Sequence, residues 1–176
     1  MAQSLHWLIV LLVLVQFCVG PYAADLPLGI ERLKLLTFHK SVGITVFALA
    51  ILRLLWRLYS PAPKLPTGMR PIERLLAHAS HVALYGLLLT LPLLGWLTSN
   101  ASNLTVRWFF LFNLPRLTAP DPGFAKLTRE LHDAGAWCLL ALVCLHVAAA
   151  FWHEFGRRDG VLRRMLPLWM LPREGR

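Results

Sequence analysis

Seven histidines are the residues of this chain whose type and spacing could do chemistry: His6, His39, His78, His81, His132, His146 and His153. Most fall within or beside long apolar runs, where a polar side chain is expensive and therefore marks a functional site unless a simpler role explains it. His132 and His146 are fourteen residues apart. At about 100° per residue this returns them to within about 40° on a helix while separating them by about 21 Å. They point to the same side of a bundle at two depths. His6 opens the first apolar run and His39 opens the second, so an up-and-down chain sets His6 at the depth of His146 and His39 at the depth of His132. Two levels with two imidazoles each suit a flat macrocycle between helices, because haem iron takes axial ligands from opposite faces and two imidazoles leave no open position for oxygen. No Cys-x-x-Cys-His occurs, so covalent c-type attachment is excluded and the haems are read as b-type.

The elements that must position these residues are membrane helices. Of the 176 residues 57% are hydrophobic and 15% charged, against roughly 25% charged in an ordinary soluble domain. Four runs approach the roughly 20 residues needed to cross a bilayer: residues 5–19, 39–59, 77–98 and 131–155. Gly20-Pro21, Pro61 with Pro63, and Asn100 to Asn103 are the breakers that close the first three. The expected fold is all-α, one integral membrane domain over residues 1–176 forming a transmembrane four-helix bundle. The first run lacks a basic residue ahead of it and a small-x-small cleavage pattern near Ala23-Ala24, so it is read as a retained helix and not a secretory signal.

Net charge is +9, but the basic residues lie between apolar runs and form no patch interleaved with exposed aromatics, which argues for membrane lipid and against nucleic acid as the partner. Eleven of the 18 basic residues, among them Arg53, Arg57, Lys64, Arg70, Arg74, Arg157, Arg158, Arg163, Arg164, Arg173 and Arg176, fall on one side. The other side has Arg32, Lys34, Lys40, Arg107, Arg116, Lys126 and Arg129, diluted by five acidic residues. The positive-inside rule then places both termini in the cytoplasm. Trp108-Phe109-Phe110 with Phe112 reads as an aromatic segment at the outer interface, and also as the candidate docking surface for a partner. Cys18, Cys138 and Cys144 lie in apolar runs, and no disulfide is expected.

The same residues admit other chemistry. Interfacial imidazoles that snorkel or bond between helices explain one histidine more simply than a ligand role does, but not four at matched depths. His78 and His81 could pair on zinc, yet no cysteine or carboxylate completes a structural site of about four ligands. His153, about 20° from the face of His146 by helical arithmetic, suits a hydrogen bond to a quinone carbonyl, and His81 could line that pocket. Gly43, Gly135, Ala149 and Ala150 leave room for a ring edge or for ordinary helix contact. Arg53, Arg57 and Lys40 could pair with haem propionates, although membrane anchoring already accounts for the two arginines.

The ordered set His6-Trp7, His39 with Gly43, Arg53 and Arg57, His78-Ala79-Ser80-His81 with Tyr85, Leu91-Pro92-Leu93-Leu94-Gly95, Leu131-His132-Asp133, Leu145-His146-Val147-Ala148-Ala149-Ala150, and Arg157-Arg158-Asp159-Gly160-Val161-Leu162-Arg163-Arg164-Met165 resembles bacterial cytochrome b561 almost end to end. The resemblance implies a multi-pass cytochrome of the bacterial inner membrane, with His6 and His146 on a cytoplasmic-side haem b and His39 and His132 on a periplasmic-side haem b. It also implies electron exchange with quinone, ubiquinone being the expected acceptor, and in some members oxidation of superoxide as a small periplasmic donor. The chain departs from the pattern at Glu154, where a second histidine often follows the equivalent of His153. Two other functions remain open at this point: a cytochrome subunit or anchor relaying electrons from a dehydrogenase or hydrogenase, and a transporter using histidines as proton relays.

Overall fold

The computed structural model describes residues 2–60, 70–158 and 160. Pro61, Pro63, Lys64 and the stretch from Val161 through Arg163, Arg164, Arg173 and Arg176 lie outside the described residues, as does Asp159. Helix α1 is Ala2–Asp25, α2 Ile30–Tyr59, α3 Pro71–Ala101 and α4 Pro122–Phe151, followed by a π-helical turn, Trp152–Arg157. Between α3 and α4 lie two short antiparallel strands, β1 Arg107–Trp108 and β2 Phe112–Asn113. The shortest helix has 24 residues, about 36 Å at 1.5 Å per residue, enough to cross a hydrocarbon core of about 30 Å. All four are long and apolar enough to span a membrane.

Each helix is longer than its apolar run. Gly20-Pro21 does not stop α1, which continues through Pro21 to Asp25. Proline removes one helical hydrogen bond, but in a bilayer any irregular backbone must find partners, so continuing the helix is the cheaper course. Likewise α2 begins at Ile30, so His39 sits well inside it and does not open it, and α4 begins at Pro122, ten residues before His132. The start of α4 is set by the Asp121 side chain, which accepts from the Phe124 N–H at 3.0 Å, with Pro122 at the first helical position. At the start of α3, the Glu73 carboxylate accepts from the Arg70 N–H at 3.0 Å.

Helix α1 packs on α2, α2 on α3 and α3 on α4. The core lies midway along the bundle, where Ile9, Val13, Val42, Val46, Leu91 and Leu139 pack together. Large apolar side chains such as Leu11, Leu14, Leu55, Val82, Trp137 and Leu145 face outward, as they must where the solvent is lipid and not water. Within the helices, Thr37, Ser41, Thr45, Thr90, Thr98 and Ser99 each satisfy their hydroxyl on the carbonyl four residues earlier.

The connection from α3 to α4 is tied down by two buried polar side chains. Asn100, fully buried, accepts from the Leu117 N–H at 2.8 Å and donates to the Leu104 carbonyl at 3.1 Å. Ser41 Oγ accepts from the Phe109 N–H at 2.8 Å and lies 3.0 Å from the Arg107 carbonyl. Phe109 and Phe110 adopt left-handed φ values of 42° and 61°, unusual for residues with a Cβ. Ser41 and the Trp108 Nε1 bond to Thr45 Oγ1 at 3.2 Å hold that turn on α2. The aromatic segment is thus split: Phe109 packs against the core, while Phe110, Leu111 and Phe112 face out.

Candidate functional site

Two pairs of imidazoles meet across the bundle. His39 from α2 faces His132 from α4 with ring centroids 6.3 Å apart and planes at 73°. His6 from α1 faces His146 from α4 at 6.4 Å and 72°. Each pair joins helices outside the three main packing contacts, so the rings face one another across a seam between helical hairpins. The antiparallel helices put the pairs at opposite ends, with the apolar core between them.

The His39/His132 end is open by design of its backbone. A cavity of about 680 Å³ is lined there by both histidines and by Gly20, Gly43, Gly95 and Pro92. That lies within the roughly 300–1,000 Å³ typical of cofactor sites. A Cβ on Gly20 would fall 2.9 Å from His39 Cε1, and one on Gly95 would fall 3.4 Å from His132 Cε1. Each imidazole therefore rests against a helix that offers no side chain. His132 Nδ1 donates to the Leu91 carbonyl at 2.9 Å. A carbonyl oxygen can only accept, so the proton is on Nδ1 and the Nε2 lone pair is left for a ligand bond. Arg32, Lys40 and Arg129 line the same cavity beside Asp133.

The His6/His146 end is crowded with polar groups. His81 of α3 stands 5.5 Å from His146, centroid to centroid, so this end gathers three imidazoles. Arg53 lies over the Tyr85 ring at 5.5 Å. His153 is half-buried in the π-helical turn, where the α periodicity that aligned it with His146 gives out. Such turns occur often at functional sites. Arg157 in that turn forms a hydrogen-bonded ion pair with Glu73 of α3, joining the end of α4 to the start of α3. His78 is exposed and bonds back to the Arg74 carbonyl at 2.7 Å. Among the described residues no three of His, Cys, Asp and Glu gather to hold a metal ion.

The small residues divide by role. Gly43 faces the Gln16 amide, while Gly135 meets Leu91 and Leu87 and serves helix packing, not ring approach. Ala149 faces outward. Sequence reasoning missed Gln16, Gly20 and Gly95. For Gln16 a signal was present: it is the one amide in the run 5–19, and polar groups within a span are rare.

The sequence profile described as Prokaryotic cytochrome b561 matches residues 1–168. The chain belongs to the prokaryotic cytochrome b561 family. It is 33% identical over 167 residues to cytochrome b561 homolog 2 of Escherichia coli (strain K12), covering 94% of this chain and 88% of that one. It is 28% identical to cytochrome b561 homolog 1 of the same organism, covering 93% of each. To the probable superoxide oxidase CybB of Yersinia pestis it is 27% identical, covering 93% of this chain and 92% of that protein. As a cytochrome b561 it is a multi-pass protein of the bacterial inner membrane that binds b-type haem and transfers electrons.

Proposed function

We propose that this cytochrome b561 carries electrons across the inner membrane through two b-type haems, one held by His39 and His132 and the other by His6 and His146, from a small periplasmic donor to quinone. The observation that carries the reading is the meeting of four imidazoles as two pairs with nearly equal separations, 6.3 and 6.4 Å. Two metal–nitrogen bonds of about 2 Å each together with two ring radii come to about that separation. The residues present fit the group in three further respects: the glycines that leave both outer imidazoles against bare helix, the His132 bond that fixes its tautomer, and a buried His39 Nδ1 without a partner. A haem held there by two imidazoles would supply a one-electron couple.

The chain's own residues would do the rest. His39 and His132 would hold one haem and His6 and His146 the other, with the apolar core of Ile9, Val13, Val42, Val46, Leu91 and Leu139 between the two levels. In this reading both termini are cytoplasmic, because Arg53, Arg57, Arg70, Arg74, Arg157 and Arg158 are at the His6/His146 end. Arg32, Lys40 and Arg129 would then draw an anionic donor toward the outer cavity. Superoxide is the donor favoured, the name of the Yersinia pestis relative being in keeping with it. At the other end His153, with His81 beside His146, would hold a quinone carbonyl and hand it a proton, ubiquinone being the acceptor.

A visible spectrum and haem assay of the purified protein test this reading. Two low-spin b haems per chain are expected, and His132→Ala should remove one while sparing the other. One haem in the unaltered protein, or loss of both in the variant, overturns it. A second reading, a relay subunit for a dehydrogenase or hydrogenase, is favoured by the exposed hairpin tip of Phe110, Leu111 and Phe112. Reduction of the haems by superoxide in the isolated protein, followed by oxidation on adding ubiquinone, separates the two.

A further inference from the structure

Among the described residues, a buried acceptor and a buried ring nitrogen at the α1–α2 contact both lack partners: Gln16 Oε1 and His39 Nδ1. Gln16 already belongs to His39, since its Nε2 donates to the His39 carbonyl at 3.0 Å. The acceptor oxygen, on the same amide carbon, is thereby held beside the same residue. A side-chain amide in a membrane span carries a desolvation cost unless it is fully bonded, and one of its two polar atoms is not.

The helices are shaped around this pair. A Cβ on Gly43 would fall 3.0 Å from Gln16 Nε2, just as one on Gly20 would fall 2.9 Å from His39 Cε1. Gln16 and Gly20 are one turn apart on α1, and His39 and Gly43 one turn apart on α2. Each helix thus presents a polar side chain where the other presents glycine, an interlock that fixes the Gln16 amide against His39.

The facing ligand candidate is complete by comparison. His132 Nδ1 has its acceptor in the Leu91 carbonyl, the kind of outer partner that ligating imidazoles almost always keep. His39 has no such carbonyl. We infer that Gln16 Oε1 is the acceptor for the His39 Nδ1–H when His39 binds iron through Nε2, making Gln16 the positioning residue of one axial imidazole. The inference rests on the haem-ligand reading above. It leaves the two imidazoles of one iron anchored differently, one by a backbone carbonyl and the other by a side chain that substitution can change.

The test is a redox titration of the two haems in detergent, with haem content read at each level. A hydrogen bond from Nδ1–H makes the imidazole a stronger donor to iron and favours the oxidised state. Gln16→Met keeps the length and removes the acceptor. It should raise the midpoint potential of the His39/His132 haem and weaken its retention about tenfold, leaving the other haem unmoved. Gln16→Glu supplies a stronger acceptor and should lower the same potential, a tenfold shift in the one-electron equilibrium being 59 mV. Shifts of the two variants in the same direction, or none, overturn the inference and leave Gln16 a packing residue. Should Gln16→Met lose the haem altogether, imidazole ¹⁵N spectra of the reduced unaltered protein decide: a His39 Nδ1–H protected from water exchange supports the bond, and a freely exchanging one overturns it. His39→Ala separates the two failures: retention of both haems there overturns the ligand assignment and the role of Gln16 with it, whereas loss of one haem upholds the assignment and leaves Gln16 to be decided by the two potentials.

Discussion

The two ends of the bundle surround their imidazoles in opposite ways. At the His39/His132 end space is left by omission: Gly20 and Gly95 present bare backbone to the imidazoles around a cavity of about 680 Å³. At the His6/His146 end, among the described residues, no glycine opens onto either ring. There a third imidazole, His81, stands against His146, and Arg53 covers Tyr85. Space kept by backbone is rigid, because a missing Cβ cannot rotate back into place. Long polar side chains can rearrange, and an imidazole can carry a proton. The contrast fits the proposed division of work, with bare electron entry at one end and electron transfer coupled to protons at the other.

The strongest way to break this comparison is to fill the omitted space. Gly20→Val puts bulk where even a Cβ would fall 2.9 Å from His39. Haem at that level should be lost while the other is retained, and the pigment should show one b haem per chain. Next, His153→Ala should leave both haems in place and slow quinone reduction by about 10²-fold, the lower range for removing a positioned acid or base. A stopped-flow assay with ubiquinone reads this, and an unchanged rate would put the quinone elsewhere. Glu73→Gln removes the ion pair to Arg157. Both side chains are partly exposed, so the melting temperature in detergent should fall only slightly, with both haems kept. The smallest effect belongs to Gly86→Ala, where an added Cβ meets nothing within 4 Å. Its stability should be unchanged or rise by up to about 1 kcal/mol, since alanine favours the helix over glycine, which sharpens the claim that glycine matters where it faces an imidazole.

Four membrane spans were legible because apolar runs near 20 residues have few other stable forms, and helical spacing alone aligned His132 with His146. Helix ends were not legible: Pro21 reads as a breaker, yet the bilayer keeps the helix intact through it. The loop was also hidden, since Asn100 and Ser41 bond across gaps of 17 and 68 residues, and no periodicity encodes such pairings. Gly135 and Gly95 look alike in the sequence, yet one packs on Leu91 and the other faces His132.

The chain's composition and the order of its polar residues were enough to determine a membrane bundle and to single out its histidines as candidate ligands, because burial cost depends on residue type and helical phase on spacing. Helix order and spacing had already set His6 level with His146 and His39 level with His132; only the packing of the helices decided that those rings stand 6.4 and 6.3 Å apart, that Gly20 and Gly95 leave the space, and that Gln16 lies against His39. Those relations hold between residues far apart in the chain, and their distances exist only once the helices have docked.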